Sequence, residues 1–301
     1  MSPSSRSGAP DADRPGLAGH AAADMVPALV RTSHLGPSLA ITAIISVLVA
    51  RAAPHGVGPL AVPFAALAGE LSIGWSNDVF DAPRDAAAGR TDKPIATGRI
   101  SPRAVATAAG VALALSVLLC FTVSAATGIV NLVMMAAGWA YNAGLKSTLA
   151  SGLLYAVGFG LIPWFAASTL PGHPAARPWA LAVAALLGLG AHFANVLPDL
   201  DGDRTAGVRG LPQRVADVGG SGAVRAVALV LLLGASAMIA FAPGSTHSGG
   251  THHAVALGGF VAAAALAVVG AGSRGRAPFL AAIAIAAIDT ALFAVGGVLL
   301  T

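Results

Sequence analysis

Long apolar segments alternate with short polar loops along most of the chain, and this alternation predicts membrane-spanning helices. A span needs about 20 mainly apolar residues. Segments of about that length cover residues 36–52, 59–77, 104–123, 127–142, 151–170, 179–197, 223–241, 253–271 and 278–300. The pattern therefore predicts an all-α, polytopic membrane protein with nine transmembrane helices.

The composition supports this prediction and divides the chain into two parts. The sequence is 56% hydrophobic and only 10% charged, whereas a soluble domain is typically about 25% charged. Residues 1–25 are rich in Ser, Gly, Ala, Pro and Asp, which predicts a disordered N-terminal segment. Residues 26–301 then form the membrane domain, and the lipid bilayer is its first expected partner. The single cysteine, Cys120, excludes a disulfide and a thiolate metal site.

The basic residues predict the orientation of the domain. If the N-terminus is cytoplasmic, the predicted loops place all but two of the 17 Lys and Arg residues on the cytoplasmic side. The exceptions are Arg51 and Arg177. The positive-inside rule therefore predicts a cell-membrane protein with a cytoplasmic N-terminus and an extracytoplasmic C-terminus. Because the basic residues lie in short loops between apolar segments, the high pI gives no reason to expect a nucleic-acid partner.

One stretch between the second and third apolar segments is unusually polar, NDVFDAPRDAAAGRTDKP, residues 77–94. Asn77, Asp81 and Asp85 are spaced i, i+4, i+8 and share one helical face, with Asp78 beside it.

The same pattern returns 118 residues later. This offset relates Asn77 to Asn195, Asp81 to Asp199, Asp85 to Asp203, Gly89 to Gly207 and Pro94 to Pro212. Such matches at one offset indicate an internal duplication. The first motif lies at the end of the second predicted helix and the second motif at the end of the sixth, so the repeating unit has four helices. We therefore predict two duplicated four-helix bundles plus a ninth helix. The two acidic helix ends would face each other on the cytoplasmic side.

The duplicated carboxylates predict a metal site. Mg²⁺ is usually held by one or two carboxylates together with substrate phosphates. The predicted ligands are Asp78, Asp81, Asp85, Asp199 and Asp203. The basic residues Arg90, Lys93 and Lys146 would then face a diphosphate, with Arg204 a weaker counterpart in the second half. Helix capping explains isolated surface aspartates such as Asp92 and Asp217, but it does not explain two aligned sets.

These motifs resemble those of the UbiA superfamily of intramembrane prenyltransferases. Its motif NDxxDxxxD is matched from Asn77 to Asp85, and its second motif DxxxD by Asp199 and Asp203. The tract after the first motif is matched by Arg90, Lys93, Pro94, Gly98 and Ser101, and the Tyr and Lys element after helix 4 by Tyr141 and Lys146. The resemblance covers about residues 25–300. It implies a nine-helix fold, Mg²⁺-dependent ionisation of an isoprenyl diphosphate, and capture of the allylic cation by a small acceptor, aromatic or other, in a lipid-open cavity.

The resemblance also implies roles for individual residues. Asp78, Asp81, Asp199 and Lys146 are the expected catalytic residues. The expected substrate-binding residues are Asn77, Arg90, Lys93, Tyr141, Asn195 and Arg204. Members that use a hydroxybenzoate commonly carry an Arg beside the helix-4 Lys, but Ser147 follows Lys146 here. Arg31, just before helix 1, is the remaining candidate partner for an acceptor carboxylate.

Two questions stay open at the level of the sequence. Glu70 lies two turns before Asn77 on the same face, and it would either take the proton lost by the alkylated acceptor or form an interhelical hydrogen bond as a neutral acid. The second question is the reaction, since a terpene cyclase with this fold would need no acceptor. A transporter is disfavoured, because transporter sites lie near the bilayer midplane and these carboxylates lie at the cytoplasmic rim.

Overall fold

The computed structural model describes residues 25–52, 55–205, 207–241, 250–273 and 277–295. Within these ranges the chain is helical, without a strand. The helices are α1 Met25–Thr32, α2 Leu35–Ala52, α3 Gly58–Ala87, α4 Pro102–Val123, α5 Ala125–Asn142, α6 Ala150–Gly160, α7 Ile162–Ser168, α8 Pro178–Val196, α9 Leu200–Thr205, α10 Leu211–Phe241, α11 Gly250–Gly272 and α12 Ala277–Val295. A turn of 3₁₀ helix covers Leu145–Ser147. Apart from Met25, the predicted disordered segment 1–25 lies outside the described residues, as does the end of the ninth predicted span.

Several helices are long and apolar enough to cross a membrane. Five such spans are found among the described residues: Pro102–Val123, Ala150–Ser168, Pro178–Val196, Leu211–Phe241 and His253–Gly272. The number is six if α1 and α2, which meet at a bend of 66°, form one span. The fold is therefore all-helical with multiple candidate spans, and the count of nine stays a prediction.

The two halves of the chain repeat one order of packing. In the first half, α3 packs between α2 and α4, and α4 also contacts α5. In the second half, α8 packs between α6 and α10, and α10 also contacts α11. Helix α12 packs against α8, α10 and α11. The first motif lies on α3 and the second begins on α8, and each of these helices is held on two sides by its neighbours.

The repeat extends to the backbone at the end of each acidic motif. Gly89 and Gly207 have φ angles of 65° and 77°, which glycine adopts at little cost. The N–H of the residue after each glycine donates to the carbonyl of the last motif aspartate, Arg90 to Asp85 at 3.0 Å and Val208 to Asp203 at 2.9 Å. Both are Schellman-type helix ends, and they are again 118 residues apart.

The two motifs differ in one respect that their spacing did not predict. The first lies on a single continuous helix, α3, whereas the second is divided between α8, which ends at Val196, and α9, which begins at Leu200. Pro198 lies in the break and has no N–H to donate to the preceding turn. Around it, Leu197 and Asp199 donate to carbonyls three residues earlier, each at 3.2 Å. The second motif therefore turns at Pro198 before presenting Asp199 and Asp203.

Candidate active site

A cavity of about 500 Å³ lies between the two acidic motifs. Asn77 lines it from the first motif, and Asn195, Asp199 and Asp203 line it from the second. Its apolar wall includes Ile41, Met134, Met135, Leu154, Phe159 and Ile162, and its other polar residues include Glu70, Tyr141, Tyr155 and His192. The cavity is in the size range of small-molecule sites, which are mostly apolar with a few convergent polar groups.

Asp78 is buried and is held by two basic side chains. Lys93 Nζ donates to Asp78 Oδ1 at 2.7 Å, and His34 Nε2 lies 3.0 Å from the same oxygen. Burial alone would raise the pKa of Asp78, but the hydrogen bonds from His34 and Lys93 outweigh it and lower that pKa below its ordinary value. Asp78 is therefore a carboxylate at neutral pH, and its Oδ2 is buried without a hydrogen-bond partner.

Asp81 connects the first motif to Lys146. Lys146 Nζ donates to Asp81 Oδ1, and Arg84 Nη2 lies 2.8 Å from Asp81 Oδ2. Burial lowers the pKa of Lys146, while Asp81 and the nearby Asp203 oppose that shift by favouring the charged ammonium. Because Lys146 interacts with carboxylates of both motifs, it lies between them.

The remaining carboxylates are less fully paired. Asp203 accepts a hydrogen bond from Gln213 Nε2 at 2.9 Å. Burial raises the pKa of Asp85 and of Asp203 above the ordinary value, whereas Asp199 is exposed. Arg90 donates to Asp92 at 2.7 and 2.8 Å, and its positive charge also interacts with Asp85 and Asp199.

Two predicted substrate-binding residues lie apart from this group. Arg204 is exposed and donates to Asp217 at 2.7 Å. Arg31 is exposed and is not among the described residues that line the cavity. The roles predicted for both stay predictions.

Several contacts of the site involve residues that the sequence analysis missed. Asn142, next to Tyr141, donates to Ile73 O at 2.9 Å and Ser76 Oγ at 2.8 Å, and accepts from Asn77 Nδ2 at 3.2 Å. It therefore connects the first residue of the motif to α5. Its position at the end of an apolar segment, beside a motif tyrosine, was the available signal.

His34 was also missed, because nothing in its neighbourhood marks it. It has a φ of 51°, unusual for a residue other than glycine, and lies at the bend between α1 and α2. The bend is held against α3 by two close contacts. Trp75 Nε1 donates to Leu29 O at 2.9 Å, and a Cβ on Gly74 would lie only 2.4 Å from Ser33 O.

Asp199 and Asp203 therefore line the cavity directly, and the ion pairs of Asp78 and Asp81 with two lysines and an arginine follow Asn77 in the first motif. No group of three or more His, Cys, Asp or Glu side chains within the described ranges is arranged to hold a metal ion. Asp78 is paired with Lys93, and Asp81 with Lys146 and Arg84. The donor chemistry nevertheless fits a hard cation, since carboxylate oxygens are its preferred ligands and Asp78 Oδ2 has no partner. An anionic ligand that attracted the lysines would release the carboxylates for such a cation.

Comparison with known proteins identifies the family to which this site belongs. The sequence profile of the UbiA prenyltransferase family matches residues 39–281. The chain belongs to the UbiA prenyltransferase family. The resemblance to this family is thereby confirmed, and the match includes both acidic motifs and every cavity-lining residue except His34, Pro37 and Ser38. No curated protein matches the chain.

Solved structures of UbiA proteins share the fold at low sequence identity. A digeranylgeranylglyceryl phosphate synthase has a TM-score of 0.66 at 15% identity, with 91% of this chain and 98% of that chain covered. A UbiA homologue from Aeropyrum pernix K1 also has a TM-score of 0.66, at 19% identity and with coverages of 86% and 96%. A UbiA homologue from Archaeoglobus fulgidus, bound to GPP and Mg²⁺, has a TM-score of 0.60 at 15% identity, with coverages of 89% and 99%. At these identities the likeness shows a common fold.

Proposed function

We propose that this protein is a Mg²⁺-dependent intramembrane prenyltransferase that moves an isoprenyl group from its diphosphate to a small acceptor. The observation that carries the proposal is one mainly apolar cavity lined by Asn77 of the first motif and by Asn195, Asp199 and Asp203 of the second. The Archaeoglobus fulgidus homologues were solved with GPP or DMAPP and Mg²⁺, which supports the same class of donor and metal here. The family to which the chain belongs supports the transfer reaction.

In this proposal, polar and apolar parts of the donor occupy different walls. Mg²⁺ would be held by Asp78, Asp81 and Asp85 on one side and by Asp199 and Asp203 on the other, where it neutralises charge on the leaving diphosphate. Lys93, Lys146 and Arg90 would bind diphosphate oxygens, and Asn77 and Asn195 would orient them. The isoprenyl chain would lie along Met134, Met135, Leu154 and Phe159.

The reaction then breaks the bond between C1 of the isoprenyl group and the diphosphate oxygen. The electron pair leaves with the diphosphate, and the acceptor forms a bond to C1. Tyr141 and Tyr155 both line the cavity, and aromatic rings near the allylic cation would stabilise it. Exclusion of water by the apolar wall protects that cation until the acceptor reacts.

We also propose the nine-span, duplicated arrangement and the orientation that the sequence predicts. Residues 1–25 would precede the membrane domain on the cytoplasmic side, and the site would open to the cytoplasm. The concentration of basic residues in the loops on that side supports this orientation.

Purified full-length protein tests the proposed reaction. It would be incubated with Mg²⁺, isoprenyl diphosphates of several chain lengths and a pool of small acceptors, and the products identified by mass spectrometry. We expect diphosphate release and a product heavier than one acceptor by one isoprenyl group, with both lost in EDTA. Failure to release diphosphate from any chain length would refute the proposal.

A terpene cyclase is the second candidate, and one observation favours it. Aromatic rings cluster on one side of the cavity: the Tyr141 and Tyr155 rings lie 5.2 Å apart edge to face, and Phe159 stacks on Tyr155 at 5.9 Å. Such rings could hold a folded cation. Product analysis without an acceptor separates the two reactions.

A further inference from the structure

Glu70 is the one glutamate of the chain, and its carboxyl faces the cavity without a partner. It is on α3, about two turns from Asn77, and is one of the cavity-lining residues. Among the described residues no side chain forms a hydrogen bond or an ion pair with it. The side chain is half-buried and open to the cavity, so a ligand bound there can donate a hydrogen bond to the carboxyl group.

The side chains near Glu70 form a polar group inside an apolar pocket. Tyr141, Tyr155 and Asn195 line the cavity together with Glu70, and the rings of Tyr141 and Tyr155 lie 5.2 Å apart edge to face. The His192 ring stacks on Tyr155 with the ring centroids 4.3 Å apart, and His192 Nε2 lies 3.1 Å from Ser151 Oγ. Flat aromatic faces and hydroxyl groups together suit a ring that carries its own hydroxyl.

The charges around the cavity disfavour a negatively charged acceptor. No Lys or Arg is among the described residues that line it. Lys93 and Lys146 are paired with Asp78 and Asp81, and in the proposed reaction they turn to the diphosphate. A carboxylate placed near Glu70 would therefore lose its water without gaining a cation. It would also be repelled if Glu70 is ionised, and it would gain no compensating charge if Glu70 is neutral.

We infer that the acceptor is an uncharged phenol whose hydroxyl hydrogen-bonds to Glu70, and that the cavity discriminates against phenols bearing a carboxylate. This inference rests on the proposed prenyl transfer and names the acceptor class of the same site. The new bond joins C1 of the isoprenyl group to the phenol ring carbon or oxygen. The diphosphate leaves with the electron pair of the broken C1–O bond, and the proton displaced from the phenol passes to the Glu70 carboxylate.

The test compares phenols that differ in charge. Full-length protein in lipid nanodiscs would receive Mg²⁺, an isoprenyl diphosphate that it ionises, and 4-methylphenol, 4-hydroxybenzamide or 4-hydroxybenzoate. The amide and the carboxylate have nearly the same shape, so they isolate charge. We expect kcat/KM for each uncharged phenol to exceed that for 4-hydroxybenzoate by at least about tenfold, which corresponds to about 1.4 kcal/mol.

Variants assign the discrimination to Glu70. In Glu70→Gln, the ratio of kcat/KM for 4-hydroxybenzamide to kcat/KM for 4-hydroxybenzoate should fall by at least about threefold. The reason is that glutamine keeps the shape of the side chain but carries no charge. Asp289→Asn is the matched control, since Asp289 is a buried carboxyl that accepts from Ser236 at 2.6 Å and does not line the cavity. Its ratio should equal that of the wild type. A ratio that is unchanged in Glu70→Gln would overturn the assignment to Glu70.

Binding gives a second measurement that does not depend on turnover. With a thiolodiphosphate analogue and Mg²⁺ bound, 4-hydroxybenzamide should raise the Tm of the wild-type protein more than 4-hydroxybenzoate does. Equal or greater stabilisation, or equal or faster prenylation, with 4-hydroxybenzoate would overturn the inference while leaving the prenyltransferase proposal intact. Diphosphate release with no phenol product at all would also overturn it, whereas absence of diphosphate release would refute the proposed function itself.

Discussion

Two aspartates of the first motif, Asp78 and Asp81, are paired with lysines that are expected to bind the diphosphate. Asp78 is paired with Lys93, and Asp81 with Lys146 and Arg84. A buried carboxylate needs such partners, because an isolated charge in an apolar setting is costly. When a diphosphate and its metal bind, the same lysines can move to the phosphate oxygens while the carboxylates move to the metal. The charge balance is then kept in both states.

This balance predicts the effect of removing one carboxylate from each motif. Asp81→Ala and Asp199→Ala should each lower the rate of diphosphate release by roughly 100-fold or more, because each removes charge stabilisation from one side of the leaving group. The rate would be measured with purified protein, saturating isoprenyl diphosphate and a titration of Mg²⁺.

Asp201→Asn is the control for this pair, because Asp201 lies on α9 between Asp199 and Asp203 and is exposed. It should retain most of the wild-type rate. If Asp81→Ala or Asp199→Ala releases diphosphate as fast as this control, that aspartate does not take part in holding the metal.

The sequence predicted these carboxylates but not the residues that position them. The spacing of Asn77, Asp81 and Asp85 depends only on helical periodicity, which is visible locally. The contacts of His34 with Asp78 and of Asn142 with Asn77 join residues 44 and 65 positions apart. Such pairs arise from packing of separate helices, so a single sequence carries no direct sign of them.

At the scale of the elements, the bend between α1 and α2 depends on one glycine. Gly74 lets α3 approach Ser33 so closely that a Cβ would lie 2.4 Å from the Ser33 carbonyl oxygen. Gly74→Ala should therefore displace the bend. His34 follows Ser33 directly and contacts Asp78, so it should be displaced as well. We expect a loss of about 1–3 kcal/mol in stability, as for other overpacked sites, together with slower diphosphate release.

Gly110→Ala provides the comparison for this prediction. Gly110 is also inside a helix, α4, but nothing lies within 4 Å of its Cβ position. Alanine favours a helix over glycine by up to about 1 kcal/mol, so Gly110→Ala should leave the Tm unchanged or raise it. Equal Tm values and equal rates for the two variants would show that the bend does not depend on close approach at Gly74.

The elements were predicted best where periodicity and apolar length agree. Helix α4 covers Pro102–Val123, close to the predicted span 104–123. The predicted span 151–170 instead consists of α6 and α7, which meet at Leu161, and the second motif is divided at Pro198. Proline also lies inside α3, at Pro63 and Pro83, without ending it. Packing therefore decides which prolines interrupt a helix, and the sequence alone does not.

At the scale of the whole molecule, the proposed duplication rests on matching residues of special chemistry and on the similar packing order of the two halves. Asp81 and Asp85 match Asp199 and Asp203, and Gly89 matches Gly207. In both helix ends, the residue after the glycine donates its N–H to the carbonyl of the last motif aspartate. The number of spans is less well determined, because α3 combines an apolar half with a charged one.

The orientation of the molecule gives a prediction at this scale. In a Cys120→Ala background, Ala88→Cys follows the first motif, and Ala175→Cys lies in the loop before α8; both positions are exposed. A membrane-impermeant maleimide should label Ala175→Cys in intact cells and Ala88→Cys only after the membrane is opened, because the positive-inside rule places the motif loop in the cytoplasm. Labelling of both positions in intact cells would contradict the proposed arrangement of spans.

The last prediction separates prenyl transfer from cyclisation by comparing diphosphate release with and without an acceptor. A cyclase must enclose and fold the isoprenyl chain before water reaches the cation, whereas a transferase needs space for a second molecule beside it. The rings of Tyr141, Tyr155 and Phe159 gather on one side of the cavity, while Ile41, Met134 and Met135 supply flexible apolar surface. Because this aromatic surface is one-sided and Glu70 offers a polar contact beside it, we expect slow diphosphate release without an acceptor.

A suitable acceptor should accelerate release and appear in the product, as measured by parallel assays of diphosphate and of organic products. Conversion of an isoprenyl diphosphate alone into a cyclic hydrocarbon or alcohol, at a rate that no acceptor increases, would instead identify the protein as a cyclase.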